Sequence, residues 1–451
     1  MMDTGFKNAQ LDDSWAFDTL TRKETTYASH GYHKYPAKFI PQLVKRLLDK
    51  YSSEGDFILD PFGGCGTTLV ESKINSRNSI CIDVNEAALL IASAKKTAIN
   101  SELLNIKNIN LQKRLSENRD HKNYYKSANK RLKYWFTKAQ YNRLMRLYKE
   151  IQKEDNQEIR TFYRCCFSNI LKNCSIWYSK SIKPMRDPDK KLVDPKVIFT
   201  AHLNYMTKQN SEYYNLLTKS GALEVKSYVK KADARATGIP NKSMDLIITS
   251  PPYAISYEYA DIHQLSLLWF GFTDDIKSVR KNYIGSSYRE KVNAAKINSP
   301  VAIDMINALN SCDPHLSNQI SHYIIDLESS FKEMFRVLRR GKRACIIIGD
   351  TKYKGIDIKN KEIAIELLKN IGFDIETVIR RKISSKTFTP YRDSIGRFSQ
   401  KSNGKMEGIY QYEYIIVAIR PELNNRYPLK QFEKIAYDLL NSLKIDRFYG
   451  S

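Results

Sequence analysis

The chemistry-bearing stretch of this chain is Thr249-Ser250-Pro251-Pro252-Tyr253, which follows the apolar run Leu246-Ile247-Ile248. That run reads as a short buried strand. The paired prolines cannot continue a sheet, because neither has a backbone N–H to donate. The chain therefore leaves the strand at its C-terminal edge, where open α/β sheets hold their ligands. It presents there the Ser250 hydroxyl, the Pro251 carbonyl and the aromatic face of Tyr253. A hydroxyl, an acceptor and a ring suit the grip of a flat heterocycle carrying an exocyclic amine. A proline-rich strand exit with a tyrosine packed on it would look the same by itself.

A second constellation lies upstream. Phe57-Ile58-Leu59-Asp60 reads as a strand, and Pro61-Phe62-Gly63-Gly64-Cys65-Gly66-Thr67-Thr68 follows it as a glycine-rich turn into a helix opening at Thr67 or Thr68. Glycines there remove the Cβ atoms that would block a ligand from the backbone. The spacing is neither GxGxxG nor the phosphate-cradling P-loop. Ser79-Ile80-Cys81-Ile82-Asp83 reads as the next strand, and Asp83 stands 23 positions after Asp60. An acid about 20 residues beyond such a turn commonly grips a ribose diol. Asp233, in Ala232-Asp233-Ala234 before the Leu246 strand, is a further acid at an expected strand end, or a helix N-cap.

Strands must carry these residues. Besides those named, Ala344–Gly349, 374–380 and 412–418 read as strands, and Pro41 onward, 86–96, 322–338 and 361–370 as helices, with Arg339-Arg340-Gly341 as a helix stop. Strands alternating with helices predict a doubly wound α/β fold.

The 451 residues carry a net charge of +24 and 42% apolar residues. Such a surplus favours a polyanionic partner. Residues 101–222 interrupt the α/β pattern with 25 Lys or Arg against 11 Asp or Glu, +14 net. Basic and aromatic residues interleave there, as in Lys133-Tyr134-Trp135-Phe136 and in Tyr141 through Tyr148. That composition fits a surface that tracks phosphates and stacks on bases, or a helical insertion with an aromatic core and a solvated basic face. The seven Cys form no CxxC pair, which supports neither a zinc site nor a disulfide framework. No apolar run reaches the roughly 18 residues of a membrane span, and no signal pattern opens the chain. A reduced cytoplasmic protein without metal is expected.

These pieces, in this order, resemble the amino-methyltransferases of DNA. Asp60 to Thr67 fit that family's D-P-F-x-G-x-G-T motif, Ser250 to Tyr253 its [DNS]-P-P-[YFW] motif, and His33 to Phe39 its H-x-Y-P-A-K-F segment. The resemblance covers roughly residues 30–100 and 224–420 and leaves 101–222 unassigned. It implies a Rossmann-like, seven-stranded S-adenosylmethionine-dependent methyltransferase fold with a large basic helical insertion. It implies that His33, Tyr35, Pro36 and Lys38 cap the methionine end of the cofactor. Asp60, Phe62, Gly63, Gly64, Gly66, Thr67 and Thr68 would form its glycine loop, Asp83 would take the ribose, and Asp233 would lie near the adenine. Ser250, Pro251, Pro252 and Tyr253 would be catalytic. The Ser-Pro-Pro-Tyr form is similar to enzymes that make N4-methylcytosine in double-stranded DNA; adenine N6 stays open. Cytosine C5 chemistry would need a Pro-Cys nucleophile, and no Cys follows a Pro. A restriction endonuclease is a candidate partner. An RNA exocyclic-amine methyltransferase and a non-enzymatic binding protein are the rival readings.

The expected organisation is an arm (1–28), a first methyltransferase part (29–100), the basic insertion (101–222), a second methyltransferase part (223–428) and a C-terminal helix (429–451). Irregular excursions at 273–320 and 384–408 are expected to pass over the site or touch the polymer.

Overall fold

The computed structural model describes residues 9–117, 120–254, 258–285, 297–353, 356–383, 391–392, 407–408 and 412–422. Its centre is a seven-stranded sheet of β1 (Phe57–Asp60), β2 (Asn78–Asp83), β3 (Ser227–Lys231), β4 (Met244–Thr249), β5 (Leu338–Ile348), β6 (Asp374–Lys382) and β7 (Tyr412–Ile419), in the order β3-β2-β1-β4-β5-β7-β6. The strands β3, β2, β1, β4 and β5 run parallel, and β7 is antiparallel to both its neighbours. Strand order reverses between β1 and β4, which opens a crevice at their C-terminal ends.

Alternation along the strands builds two cores. Ile58, Leu246, Ile248, Cys345 and Ile347 face Leu43, Val44, Leu47 and Leu48 of α1 (Pro41–Tyr51). Leu59, Ile247, Ile346 and Ile348 face the other way, with α13 (Pro314–Val337) and α14 (Asn360–Ile371). The turn after β1 enters α2 (Thr67–Ile74), and Asn85 caps α3 (Glu86–Lys96) by accepting from the Ala87 N–H at 3.0 Å.

The insertion consists of α4 (Ser101–Glu117), α5 (Lys130–Trp135), α6 (Lys138–Gln152), α7 (Gln157–Cys174) and α8 (Pro195–Ser220). It shares one core with α3 and with α10 (Gln264–Trp269), which follows α9 (Tyr259–Ile262). Trp135, Phe136, Tyr141, Phe162 and Phe167 are buried in that core. The aromatics read as possible base-stacking groups are therefore mostly packing groups, because an amphipathic helix turns its aromatic stripe inward and its lysines outward. Asn210 on α8 stitches the insertion to the chain after α3: it accepts from the Ile99 N–H at 3.0 Å and donates to the Ile99 carbonyl at 2.6 Å.

Three expectations need correction. Residues 9–28 are not a loose arm: Trp15 is buried beneath the Arg46 guanidinium, 4.0 Å from its ring, and its carbonyl accepts from Arg381 Nε at 2.7 Å. The excursion 273–320 is largely helical where described, with α11 (Ile276–Arg280), α12 (Pro300–Asn310) and the first turns of α13. Proline at the first turn and the Ser299 and Asp313 side chains as N-caps start α12 and α13. Arg339-Arg340-Gly341 is not a helix stop but part of β5, because Leu338 pairs with Met244 and the Gly341 N–H donates to the Arg420 carbonyl at 2.7 Å. The expected tail helix lies outside the described residues, as does most of 384–408, where Tyr391–Arg392 pairs with Glu407–Gly408.

Candidate functional site

The crevice at the β1/β4 reversal is a cleft of about 880 Å³, its open mouth included. The turn after β1 forms one wall with Asp60, Phe62, Gly63, Gly64 and Thr67. The tip of β2 adds Asp83, the loop after β3 adds Asp233, and the exit of β4 adds Ser250 and Pro252. Tyr35 and Lys38 reach in from the segment before α1. His33, Pro36, Gly66, Thr68 and Pro251 are not among the lining residues. Pro252 and Tyr253 line a second cleft beside the first, of about 500 Å³ with its mouth.

Three of the residues off the wall, Thr68, Gly66 and His33, have visible work. Thr68 Oγ1 donates to Asp60 Oδ2 at 2.8 Å. Gly66 opens α2 with a φ of +78°, which a glycine adopts without strain. Buried His33 contacts Ser168 of α7 at 3.0 Å through Nε2 and the Lys34 carbonyl at 2.9 Å through Nδ1, so it fastens the insertion to the segment carrying Tyr35.

Backbone donors and burial set the state of the acids. Asp83 Oδ2 accepts from the Gly64 N–H at 2.9 Å and Oδ1 from the Asn85 N–H at 2.8 Å. Asp60 accepts from Thr249 Oγ1 at 2.7 Å and from the Phe62 N–H at 3.2 Å. Burial outweighs these bonds and pushes each carboxyl up to about 6. Burial also brings the Lys38 ammonium down to about 8; its Nζ donates to the His30 carbonyl at 2.8 Å. Asp233 is held by Arg235, whose Nη2 lies 2.6 Å from it, while Nη1 reaches Asp326 of α13 at 2.6 Å.

Tyr253 is fixed from two sides. Its hydroxyl donates to Glu413 Oε2 at 3.3 Å, and Glu413 is itself paired with Arg381. Its ring lies on Gly349, where a Cβ would stand 3.0 Å from Cε2. Burial raises the phenol far above its ordinary range, so Tyr253 stays neutral.

Several wall residues carried no signal in the sequence. Tyr259, Tyr283 and Ile284 line both clefts, and Gln319 and Tyr323 of α13 line the second. Tyr35 stacks on His263, ring centres 4.8 Å apart. Apart from Tyr35, none of these sits in a motif; only the path of the chain after β4 brings them to the crevice.

The first cleft fits a nucleoside-bearing cationic ligand. It has the size of a small-molecule site, three carboxylates on its wall, apolar surface at Phe62 and Ile284, and Lys38 at one side. Among the described residues, no group of three His, Cys, Asp or Glu could hold a metal ion, and no helix is long and apolar enough to cross a membrane.

A family profile described as DNA methylase matches residues 4–94. Among curated relatives, the type II methyltransferase M.MvaI of Kocuria varians is 24% identical, over 84% of this chain and 89% of its own. M.MjaII of Methanocaldococcus jannaschii is 28% identical, over 62% and 71%. M.BsoBI of Geobacillus stearothermophilus is 22% identical, over 82% and 85%. Among solved structures, TrmN from Thermus thermophilus is 11% identical, over 85% of this chain and 49% of its own, with a TM-score of 0.28. A SAM-dependent methyltransferase from Methanosarcina mazei is 10% identical, over 86% and 100%, with a TM-score of 0.30. The fold assignment accordingly rests on the strand order described above. With the motifs in order around one crevice, a DNA methylase profile matching its first part and type II methyltransferases aligning along most of its length, this chain is similar to the N4/N6 amino-methyltransferases of DNA, enzymes whose methyl donor is S-adenosylmethionine.

Proposed function

We propose that this chain methylates the exocyclic N4 of cytosine at a specific site in duplex DNA, with the target base extruded from the helix. The observation that supports this reading is the turn from Ser250 to Tyr253, which lines two adjoining clefts, with Ser250 and Pro252 on the first and Pro252 and Tyr253 on the second. The first is suited to the cofactor and the second to a flat ring.

S-adenosylmethionine, when bound, supplies an electrophilic methyl group on a sulfonium. Asp83 would hold its ribose diol, the loop from Asp60 to Thr67 its body, Asp233 its adenine side, and Tyr35 and Lys38 its amino-acid end. The amine of a paired base is conjugated and buried in the stack, so the base must first be turned out, at a cost of a few kcal/mol. Tyr253 then stacks on the ring. The Ser250 hydroxyl and the Pro251 carbonyl hold the amine and aim its lone pair into the first cleft. The nitrogen takes the methyl directly, with no covalent enzyme intermediate, and then sheds a proton. No strong base is needed before transfer, because the methylated ammonium is acidic. Positioning and a site built for moving charge provide the acceleration.

Serine at position 250 favours cytosine, since adenine-specific members more often carry Asp or Asn there; N6 of adenine is the second reading. A cognate endonuclease and a cytoplasmic location fit the type II relatives. Mass spectrometry of nucleosides from plasmid DNA, incubated with the protein and isotope-labelled S-adenosylmethionine, tests the assignment. Labelled N4-methylcytosine is expected. Labelled N6-methyladenine would overturn the choice of base, and label in RNA alone would overturn the choice of polymer.

A further inference from the structure

The insertion carries an exposed group of side chains that its core does not use. Tyr134 of α5 is 42% exposed, whereas its neighbours Trp135 and Phe136 are buried. Two guanidiniums share its ring: Arg131 at 4.8 Å and Arg186 at 4.4 Å from the ring centre. Among the described residues, neither arginine takes part in an ion pair. The two guanidiniums make this exposed patch a local concentration of positive charge, which attracts an anion.

The side chain of Arg131 and the backbone that carries Arg186 are held in place. Arg131 Nε donates to Gln264 Oε1 at 3.0 Å, and the same oxygen accepts from Trp135 Nε1 at 2.8 Å. Arg186 sits on a bracket in which Tyr178 N–H donates to the Met185 carbonyl at 2.8 Å and Asp187 N–H to the Ile176 carbonyl at 2.7 Å. Trp177, on the same bracket, stacks on Trp135 with ring centres 4.9 Å apart. The Arg131 guanidinium, fixed in this way, loses little freedom when it binds, and the planar forks of both arginines match phosphate oxygens.

The position is also suitable. Gln264 opens α10, immediately after α9, and Tyr259 at the start of α9 lines both clefts. The strip thus belongs to the insertion that packs on the chain leading away from the second cleft, and that insertion carries 25 Lys or Arg against 11 Asp or Glu, which suits a duplex entering there.

We infer that Arg131, Tyr134 and Arg186 form a clamp for the phosphate backbone of duplex DNA beside the extruded base. The inference rests on duplex DNA being the substrate, as proposed above. Its test is the salt dependence of binding of the full chain, with bound S-adenosylmethionine, to a fluorescently labelled mixed-sequence duplex. In the double variant Arg131→Ala/Arg186→Ala, the slope of log affinity against log salt should fall by about 2, and affinity near 0.1 M salt by roughly tenfold or more. Arg131→Lys/Arg186→Lys should keep the slope and lose part of the affinity. An unchanged melting temperature and cofactor affinity would show that the double variant is folded. Wild-type slope and affinity in the folded double variant would overturn the clamp, as would loss of transfer-RNA binding with duplex binding intact. A wild-type protein that itself fails to bind or methylate the duplex would instead overturn the substrate reading.

Discussion

The hydroxyl of Thr249, the last residue of β4, donates to the carboxylate of Asp60, the last residue of β1, at 2.7 Å. The bond crosses the line where strand order reverses and ties the glycine turn to the strand that delivers Ser250 and Tyr253. The two halves of the site are thus held in register by one buried acid.

That acid gives stability a pH dependence. Asp60 has its carboxyl raised to about 6 by burial, against about 3.9 in an unfolded chain. The folded state then binds the proton more tightly. The resulting stabilisation is fully present below about pH 4 and is lost as pH rises through about 6. Thermal unfolding of Asp60→Asn should therefore lose less stability between pH 5 and pH 8 than the wild type, by roughly 1–3 kcal/mol. Parallel pH profiles for the two proteins would refute this.

Tyr253 should be needed for turnover and not for the cofactor. Tyr253→Ala is expected to lower kcat at least about a hundredfold, with S-adenosylmethionine affinity within a fewfold of wild type. Tyr253→Phe, which loses the hydroxyl and its 3.3 Å bond to Glu413 but keeps the ring, should keep most activity. Full activity of Tyr253→Ala on duplex DNA would refute the role assigned to this motif.

Gly349 provides a separate check on the same ring. A Cβ there would lie 3.0 Å from Tyr253 Cε2, with the Tyr412 carbonyl 3.6 Å away. The ring of Gly349→Ala must shift, so kcat should drop about tenfold or more while the melting temperature changes by only a few degrees. Steady-state kinetics and calorimetry on one preparation would separate the two effects.

Asp83 should act on the cofactor first. Asp83→Ala is expected to weaken S-adenosylmethionine binding about tenfold or more, with a smaller loss of kcat at saturation. Because burial raises its carboxyl to about 6, wild-type affinity for this cation should increase as pH rises through about 6. Titration calorimetry at pH 5 and pH 8 measures that increase, which should shrink in the variant.

Gly63 marks a packing limit in the turn. A Cβ there would fall 2.0 Å from Cys81 Sγ of β2. Gly63→Ala should destabilise the fold by about 1–3 kcal/mol, and adding Cys81→Ala should recover part of the loss. Chemical denaturation of the single and double variants measures the coupling.

The sequence by itself determined six of the seven strands, the glycine turn and the order of the motifs; β3 carried no apolar run of its own. Each of these depends on neighbours in the chain: Ile58 and Leu59 as an apolar run, paired prolines that end β4, glycines where the backbone must turn. It also located Asp83 at the tip of β2 by spacing alone. Tertiary structure decided the rest. Thr249 finds Asp60 across 189 positions and Tyr253 finds Glu413 across 160, and no local pattern encodes such pairs. Tyr259 and Tyr283 reach the clefts only through the path of the chain after β4. The insertion shows the limit most directly. Trp135 and Tyr134 are adjacent in a basic aromatic run, yet one is core and the other exposed between arginines. Composition is the same for both, and only the partner against which α5 packs turns one ring in and the other out.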